Sequence, residues 1–340
     1  MSRPPLASAP AQNIDAVLTA GDAPRLIHRG GRRAGDQPYD SSRAWQRSIG
    51  LIRALRPHQW VKNLLTVVPL ISSGQLADAT GWLRTLESFA AFSAIASAIY
   101  VVNDISDLAA DRAHPRKRLR PFASGAVPIA YGVAMVPVLV AVAATLGWWS
   151  GAFAAVACYA IVAVMYTVHL KERPLVDVFV LATLYTIRLF GGGEASGHPV
   201  SLWLLGFSGF VFLSLALVKR VSELIRLAAR QMTHAARRGY FVEDIVILEV
   251  MGCAATFASA LVLSLYVQSD IASLTYARPT MLWGMVPLLL FWQCRIWLST
   301  ARGYMHDDPI VYAARDWVSW VVAVSLGVVV LLARVPVVIR

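Results

Sequence analysis

Cysteine is nearly absent from this 340-residue chain, with only Cys158, Cys253 and Cys294, each inside an apolar stretch. That excludes a disulfide framework and a cysteine-based zinc site, and the three read as small core residues. Charge is also scarce. Charged residues make up 15% of the chain against 57% hydrophobic, where a soluble domain has about 25% charged. With a mean hydropathy of +0.57, an ordinary soluble enzyme is excluded. Lysine is the rarest choice: of 31 basic residues only Lys62, Lys117, Lys171 and Lys219 are not arginine. The net charge of +11 is no argument for nucleic acid, because part of it lies in Arg25, Arg29, Arg32 and Arg33. Those belong to an Ala-, Pro-, Gly- and Ser-rich opening with no apolar run long enough for a signal peptide. Residues 1–50 therefore read as a disordered basic tail, with 51–340 as the domain.

What is present in quantity is apolar runs of membrane length, about 20 residues each. They predict an all-α integral membrane protein with nine transmembrane helices, over residues 60–77, 86–106, 127–148, 151–168, 175–193, 201–218, 246–268, 280–300 and 317–335. Basic residues crowd the loops after the second, fourth, sixth and eighth spans. The odd loops hold only Arg84 and Arg278. This asymmetry places the even loops and the N-terminus in the cytoplasm. Gly191-Gly192-Gly193 maps to the opposite side and reads as a helix end, not a phosphate loop.

The acids keep to the same face. Asn103, Asp107 and Asp111 recur at i, i+4 and i+8, with Asp104 beside them, so an amide and three carboxylates share one stripe. Unpaired like charges at a membrane helix end are costly, and a hard cation such as Mg²⁺, which takes oxygen ligands and shares itself with phosphates, resolves the cost. A basic loop follows at once, with His114, Arg116, Lys117, Arg118 and Arg120. Metal-binding carboxylates beside dense cations suit a metal–diphosphate complex. The compact ammoniums of the four lysines suggest phosphate contacts. His58, Gln59, Lys62 and Asn63 open the first span and could grip a lipid phosphate. Asp177 inside the fifth span reads as a substrate or metal-water contact, and Arg188 as a partner for an acid or for substrate. Asp307, Asp308 and Asp316 read as a solvated loop.

NDISDLAAD followed by HPRKRLRPFASG resembles the first signature of the UbiA superfamily of intramembrane prenyltransferases, whose nine-helix bundle the resemblance extends over roughly residues 50–335. LRPHQWVKN at 55–63, Tyr166 to Lys171 with PLVDV, the Arg188–Gly193 stretch and KRVSEL at 219–224 are similar to its decaprenyl-phosphate phosphoribosyltransferase branch. The resemblance implies Mg²⁺-dependent transfer of 5-phosphoribose from phosphoribosyl diphosphate to a polyprenyl phosphate, feeding lipid-linked arabinose synthesis at a bacterial inner membrane. It implies metal ligands Asn103, Asp104, Asp107 and Asp111, with Lys171 joining the three aspartates in catalysis. Substrate contacts would be Gln59, Lys62, Asn63, Arg116, Lys117, Arg118, Arg120, Tyr166, Asp177, Arg188, Lys219, Arg220 and Glu223. One departure stands out. Other superfamily members carry a second aspartate-rich motif after the sixth span, where this chain has Lys219-Arg220-Val221-Ser222-Glu223. That counts against a prenyl diphosphate donor, so an aromatic prenyltransferase is the alternative. A transporter would need mid-span acids and an inverted repeat, and neither is seen. The expected partners are the membrane, the polyprenyl phosphate and phosphoribosyl diphosphate, not nucleic acid, with a homo-oligomer left open.

Overall fold

The computed structural model describes residues 41–115, 117–233, 238–305 and 308–335. The arginine-rich part of the expected tail, Arg116 and Asp307 lie outside the described residues. Helix α1 (Ser41–Leu55) crosses the expected boundary at residue 50. Arg56 then takes a left-handed conformation, φ 53°, uncommon for any residue but glycine and doubly so before a proline. The turn swings the chain into a 3₁₀ segment, Pro57–Val67, and a short helix α2 (Val68–Ser73) closed by Gly74 at φ 84°. The single expected span at 60–77 is thus a composite of 3₁₀ and α geometry.

Among the described residues, seven helices are long and apolar enough to cross a membrane: α3 (Ala79–Ser106), α5 (Ile129–Ser150), α7 (Val176–Ser196), α8 (Leu202–Ala228), α9 (Ile245–Val267) with its 3₁₀ lead from Val242, α11 (Met285–Ala301) with its lead from Pro279, and α13 (Trp317–Arg334). They coincide with seven of the nine expected spans. The other two positions hold the composite segment and α6 (Phe153–Val168), whose 16 residues rise about 24 Å against a core about 30 Å thick. Between them run three short helices, α4 (Leu108–Ala113), α10 (Asp270–Thr275) and α12 (Pro309–Arg315). Polar residues start several helices: Asp78 accepts from Gly81 N (2.9 Å), Ser201 from Leu204 N (3.1 Å) and Asp316 from Ser319 N (2.9 Å). Each satisfies one of the orphan donors of a helix start.

Successive long helices pack beside one another, α3 on α5, α5 on α6, and so on through α7, α8, α9 and α11 to α13. Burial separates a centre from a rim. Two-thirds of the apolar window of α7 is buried and 61% of that of α3, against 11% for α5 and for α13. The rim helices therefore present Val133, Val138, Val321 and Val324 outward, as lipid-facing helices do. The centre is sealed by edge-on Phe92 and Tyr159, centroids 5.6 Å apart, and by Tyr185 tilted on Phe212.

The triple glycine is not a helix end. Gly191, Gly192 and Gly193 lie buried inside α7, and a Cβ on Gly192 would stand 2.0 Å from the Thr66 carbonyl oxygen. Glycine here lets the backbone of Pro57–Val67 lie directly on α7, which carries Lys62 and Asn63 into the protein. At one end Arg334 Nη1 donates to Gly74 O (2.8 Å), tying α13 back to α2. At the other end Lys62 meets Asp308. That second end, where α3, α6, α8 and α11 finish and α5, α7, α9 and α13 begin, is where the charges gather.

Candidate active site

Among the described residues, three groups of charged side chains gather at the basic end, besides the Arg295–Asp316 pair of α11 and α13. The first is built where α3 stops. The helix breaks at Asp107 (φ −89°, ψ 10°) and restarts as α4, while Asp107 N and Asp111 N still donate to Asn103 O and Asp107 O. Asp104 and Asp111 are both buried and share one cation: Arg120 Nη1 stands 3.1 Å from Asp104 Oδ1 and 2.6 Å from Asp111 Oδ2. Arg56 reaches Asp104 from the other side at 2.5 Å, its guanidinium over the Tyr100 ring. Asn103 turns its amide to Thr167 Oγ1 at 3.5 Å, and Asp107 is half-buried.

Among the described residues no three His, Cys, Asp or Glu side chains stand close enough together to hold a metal, so the expected four-ligand cluster is not assembled. The oxygen donors are nevertheless of the kind Mg²⁺ takes. A cationic nitrogen already bridges two of the carboxylates, and both arginines keep a fifth or more of their side chain exposed. The residues fit a divalent cation in chemistry, provided these guanidiniums move aside.

The second group joins α7 to α8. Asp177 and Arg220 are both completely buried and paired, and Arg220 also holds Glu223. Tyr240 donates to Asp177 Oδ1 (2.5 Å) and accepts from Leu175 N (2.7 Å). Burial, then the hydrogen bond and charge of Asp177, push the Tyr240 phenol well above its usual value, so it stays a donor. Arg238 closes the group, 3.3 Å from Glu223 Oε1 and 3.3 Å from the Tyr166 hydroxyl.

The third group joins Pro57–Val67, α7, α8 and the start of α12. Lys62 Nζ (2.7 Å) and Lys219 Nζ (3.3 Å) converge on Asp308. Burial by itself would raise the Asp308 carboxyl, and the two ammoniums overcome it, holding it well below the usual carboxylate range. Behind Lys62, Asn63 donates to Ser93 Oγ (2.9 Å) and accepts from Arg188 Nε (2.7 Å), and Arg188 continues to the Tyr159 hydroxyl (2.9 Å) and Leu184 O.

Several sequence expectations change. Asn63, Asp177, Arg188 and Arg220 are buried and held by protein partners, and of the four only Arg220 keeps a buried nitrogen, Nε, without a hydrogen bond. Arg188 pairs with an amide and a phenol, not an acid, and the partner of Asp177 is Arg220, not Lys171. Glu223 is held between Arg220 and Arg238. Asp308 is half-buried as a residue and its side chain is only 6% exposed, so it is not a solvated loop residue. Lys117 and Arg118 are exposed on the 3₁₀ turn Lys117–Leu119, and half-buried Lys171 lies on the turn Leu170–Glu172. Gln59 is half-buried at the start of its segment, its backbone N–H on Arg56 O.

Sequence reasoning missed Arg56, Tyr185, Arg238 and Tyr240 as site residues. The signal for Arg56 was its place before Pro57. For Asp308 it was an acid directly before Pro309, the usual look of a helix start.

A model of the UbiA prenyltransferase family matches residues 66–309. The chain is 36% identical over 286 residues to the nodulation protein NoeC of Azorhizobium caulinodans, an alignment covering 82% of this chain and 92% of that protein. It is 38% identical over 189 residues to the decaprenyl-phosphate phosphoribosyltransferase of Mycolicibacterium smegmatis, covering 53% of this chain and 58% of that relative. Among solved structures, a UbiA homolog from Archaeoglobus fulgidus bound to GPP and Mg²⁺ superposes with a TM-score of 0.61 at 14% identity, over 83% of this chain and 99% of the other. That last likeness is one of fold.

Proposed function

The chain belongs to the UbiA prenyltransferase family, and from that premise we propose that it moves 5-phosphoribose from phosphoribosyl diphosphate to a polyprenyl phosphate. In this reading it is a nine-span protein of a bacterial inner membrane, its site faces the cytoplasm, and its product feeds lipid-linked arabinose synthesis. The observation that carries the reading is the fate of Lys219 and Arg220. Where a prenyl diphosphate donor is expected to meet a second set of aspartates, this chain sets two cations, one bound to Asp308 and one to Asp177. The first group sets two arginines against Asp104, Asp111 and the nearby Asp107, the second sets two arginines against two acids, and the third sets two lysines against one acid. A reaction with phosphate on the donor and on the acceptor calls for that surplus. The mycobacterial relative named as a phosphoribosyltransferase supports the same donor.

The chain's residues divide the work. Asp104, Asp107 and Asp111, with the Asn103 amide oxygen, would hold Mg²⁺, which when bound neutralises charge on the leaving diphosphate. Arg56 and Arg120 exchange carboxylate for phosphate oxygens as the donor enters, since their planar forks match both. Lys171, Lys117 and Arg118 form no ion pair among the described residues and stand ready to stabilise charge as the C1–O bond to diphosphate breaks. The lipid phosphate is already an anion, so its oxygen forms the new bond to C1 with inversion and without a general base. Its tail lies along the lipid-facing helices.

Purified protein given labelled phosphoribosyl diphosphate and a polyprenyl phosphate with Mg²⁺ should transfer label to lipid. Label moving only from a prenyl diphosphate to an aromatic acceptor would place the chain with the aromatic prenyltransferases instead. For orientation, reporter fusions after residues 125, 172 and 230 should report cytoplasm, and those after 80, 196 and 275 the opposite side.

A further inference from the structure

Lys62 and Lys219 do not merely approach Asp308. They converge on the same oxygen, Oδ2, and the Tyr185 hydroxyl lies 3.4 Å from it as well. Three donors from three segments, the Pro57–Val67 turn, α8 and α7, thus surround one anionic oxygen. Capping α12 does not need this, because the Ile310 N–H goes to the other oxygen, Oδ1, at 3.2 Å. Lys62 is 7% exposed, and a buried ammonium is expensive unless an anion meets it. The Lys219 side chain keeps 31% of its surface exposed, so the cradle opens on that flank. Two ammoniums against one carboxylate leave a positive charge uncompensated, whereas a phosphomonoester dianion would balance both.

We propose that this cradle is a phosphomonoester site and that Asp308 is its built-in occupant, displaced when the phosphate binds. The proposal rests on the reading of the chain as a transferase of phosphorylated substrates. Two sources share the chemistry, an isoprenyl monophosphate from the membrane side and a sugar 5-phosphate from the aqueous side. Asp308 acts as an internal competitor: it keeps the lysines apart from stray anions and sets a threshold that the substrate phosphate must exceed.

The test measures binding, not turnover, so it stands or falls separately from donor identity. Farnesyl phosphate and ribose 5-phosphate are titrated separately into the detergent-purified full chain. Asp308→Asn keeps a side-chain oxygen for the Ile310 N–H, since asparagine caps as well as aspartate, and removes only the charge. It should tighten one of the two probes by about tenfold, and which one identifies the source. Lys219→Gln, on the open flank, should weaken that same probe by about tenfold. In Asp308→Asn carrying Lys62→Met the gain should vanish, because it needs both ammoniums and not just a lower negative charge nearby. Unchanged or weaker binding of both probes to Asp308→Asn would overturn the proposal and leave Asp308 as a structural tie. If Asp308→Asn shows no cooperative melt, Lys219→Gln decides, and unchanged affinity for both probes overturns the proposal.

Discussion

The ends of α3 and of α8 both set charged residues across from each other, and they are built in opposite ways. At the end of α3 the acids are the buried partners and the arginines come in from outside: Asp104 and Asp111 are almost completely covered, while Arg56 and Arg120 retain 22% and 29% of their side-chain surface. At the end of α8 the arginine itself is buried. Arg220 and Asp177 are each 0% exposed. A partly exposed guanidinium has water or a phosphate to turn to, and the buried carboxylate it leaves then needs another cation in its place. A fully buried pair cannot part, since either member alone is a charge in a low-dielectric interior. The first group is therefore exchangeable and the second structural. Between them the lysine cradle combines a buried ammonium with an exposed one.

The sharpest way to break this comparison is at the acids of the exchangeable group. Asp104→Ala or Asp111→Ala should cut turnover by about 10⁴-fold, a barrier increase of about 5.4 kcal/mol at 1.36 kcal/mol per decade. The detergent melting curve should stay near that of the wild type, because the freed arginines turn to solvent. Turnover within threefold would return these residues to a helix cap.

Next in size is Arg220→Met, which leaves Asp177 buried without its cation and should cost about 3–5 kcal/mol of stability. The readout is an unfolding curve in detergent, set beside Arg120→Met. If the two melt alike, buried and exposed arginines are not different in kind. Gly192→Ala tests what holds the lysine cradle in place. Its Cβ would meet the Thr66 carbonyl at 2.0 Å, and overpacking of this kind costs about 1–3 kcal/mol. Pro57–Val67 should move off α7, and accessibility labelling of Lys62 should rise. A silent variant would show that this crossing has slack.

The smallest effect is expected at Tyr240→Phe. Removing the hydroxyl deprives Asp177 of one donor and Leu175 N of its acceptor, a loss of about 1–2 kcal/mol, with Arg220 still in place. A drop as large as that for Arg220→Met would mean that the phenol, not the guanidinium, is the main partner of Asp177.

The chain's own order of residues was enough to determine that it is helical and membrane-spanning, with seven of its long helices in place and its charges at one end. Apolar runs, capping residues and the i, i+4, i+8 spacing of Asn103, Asp107 and Asp111 are local, and local patterns survive folding because backbone hydrogen bonds in lipid must be satisfied within the helix. Which charge meets which was decided only by the tertiary structure. Arg56 lies 48 residues from Asp104, and Lys62 lies 246 residues from Asp308. No periodicity records a pairing across such distances. The same limit hid the composite of 3₁₀ and α geometry where one span was expected, since a run of apolar residues does not say that Gly192 will let another backbone lie against it. Hydropathy specifies the face a helix must bury and not the helix it is buried against. Aspartates and lysines at one membrane face could thus be read as a site, while their division into exchangeable, structural and surplus charges required the packing of α3, α7 and α8.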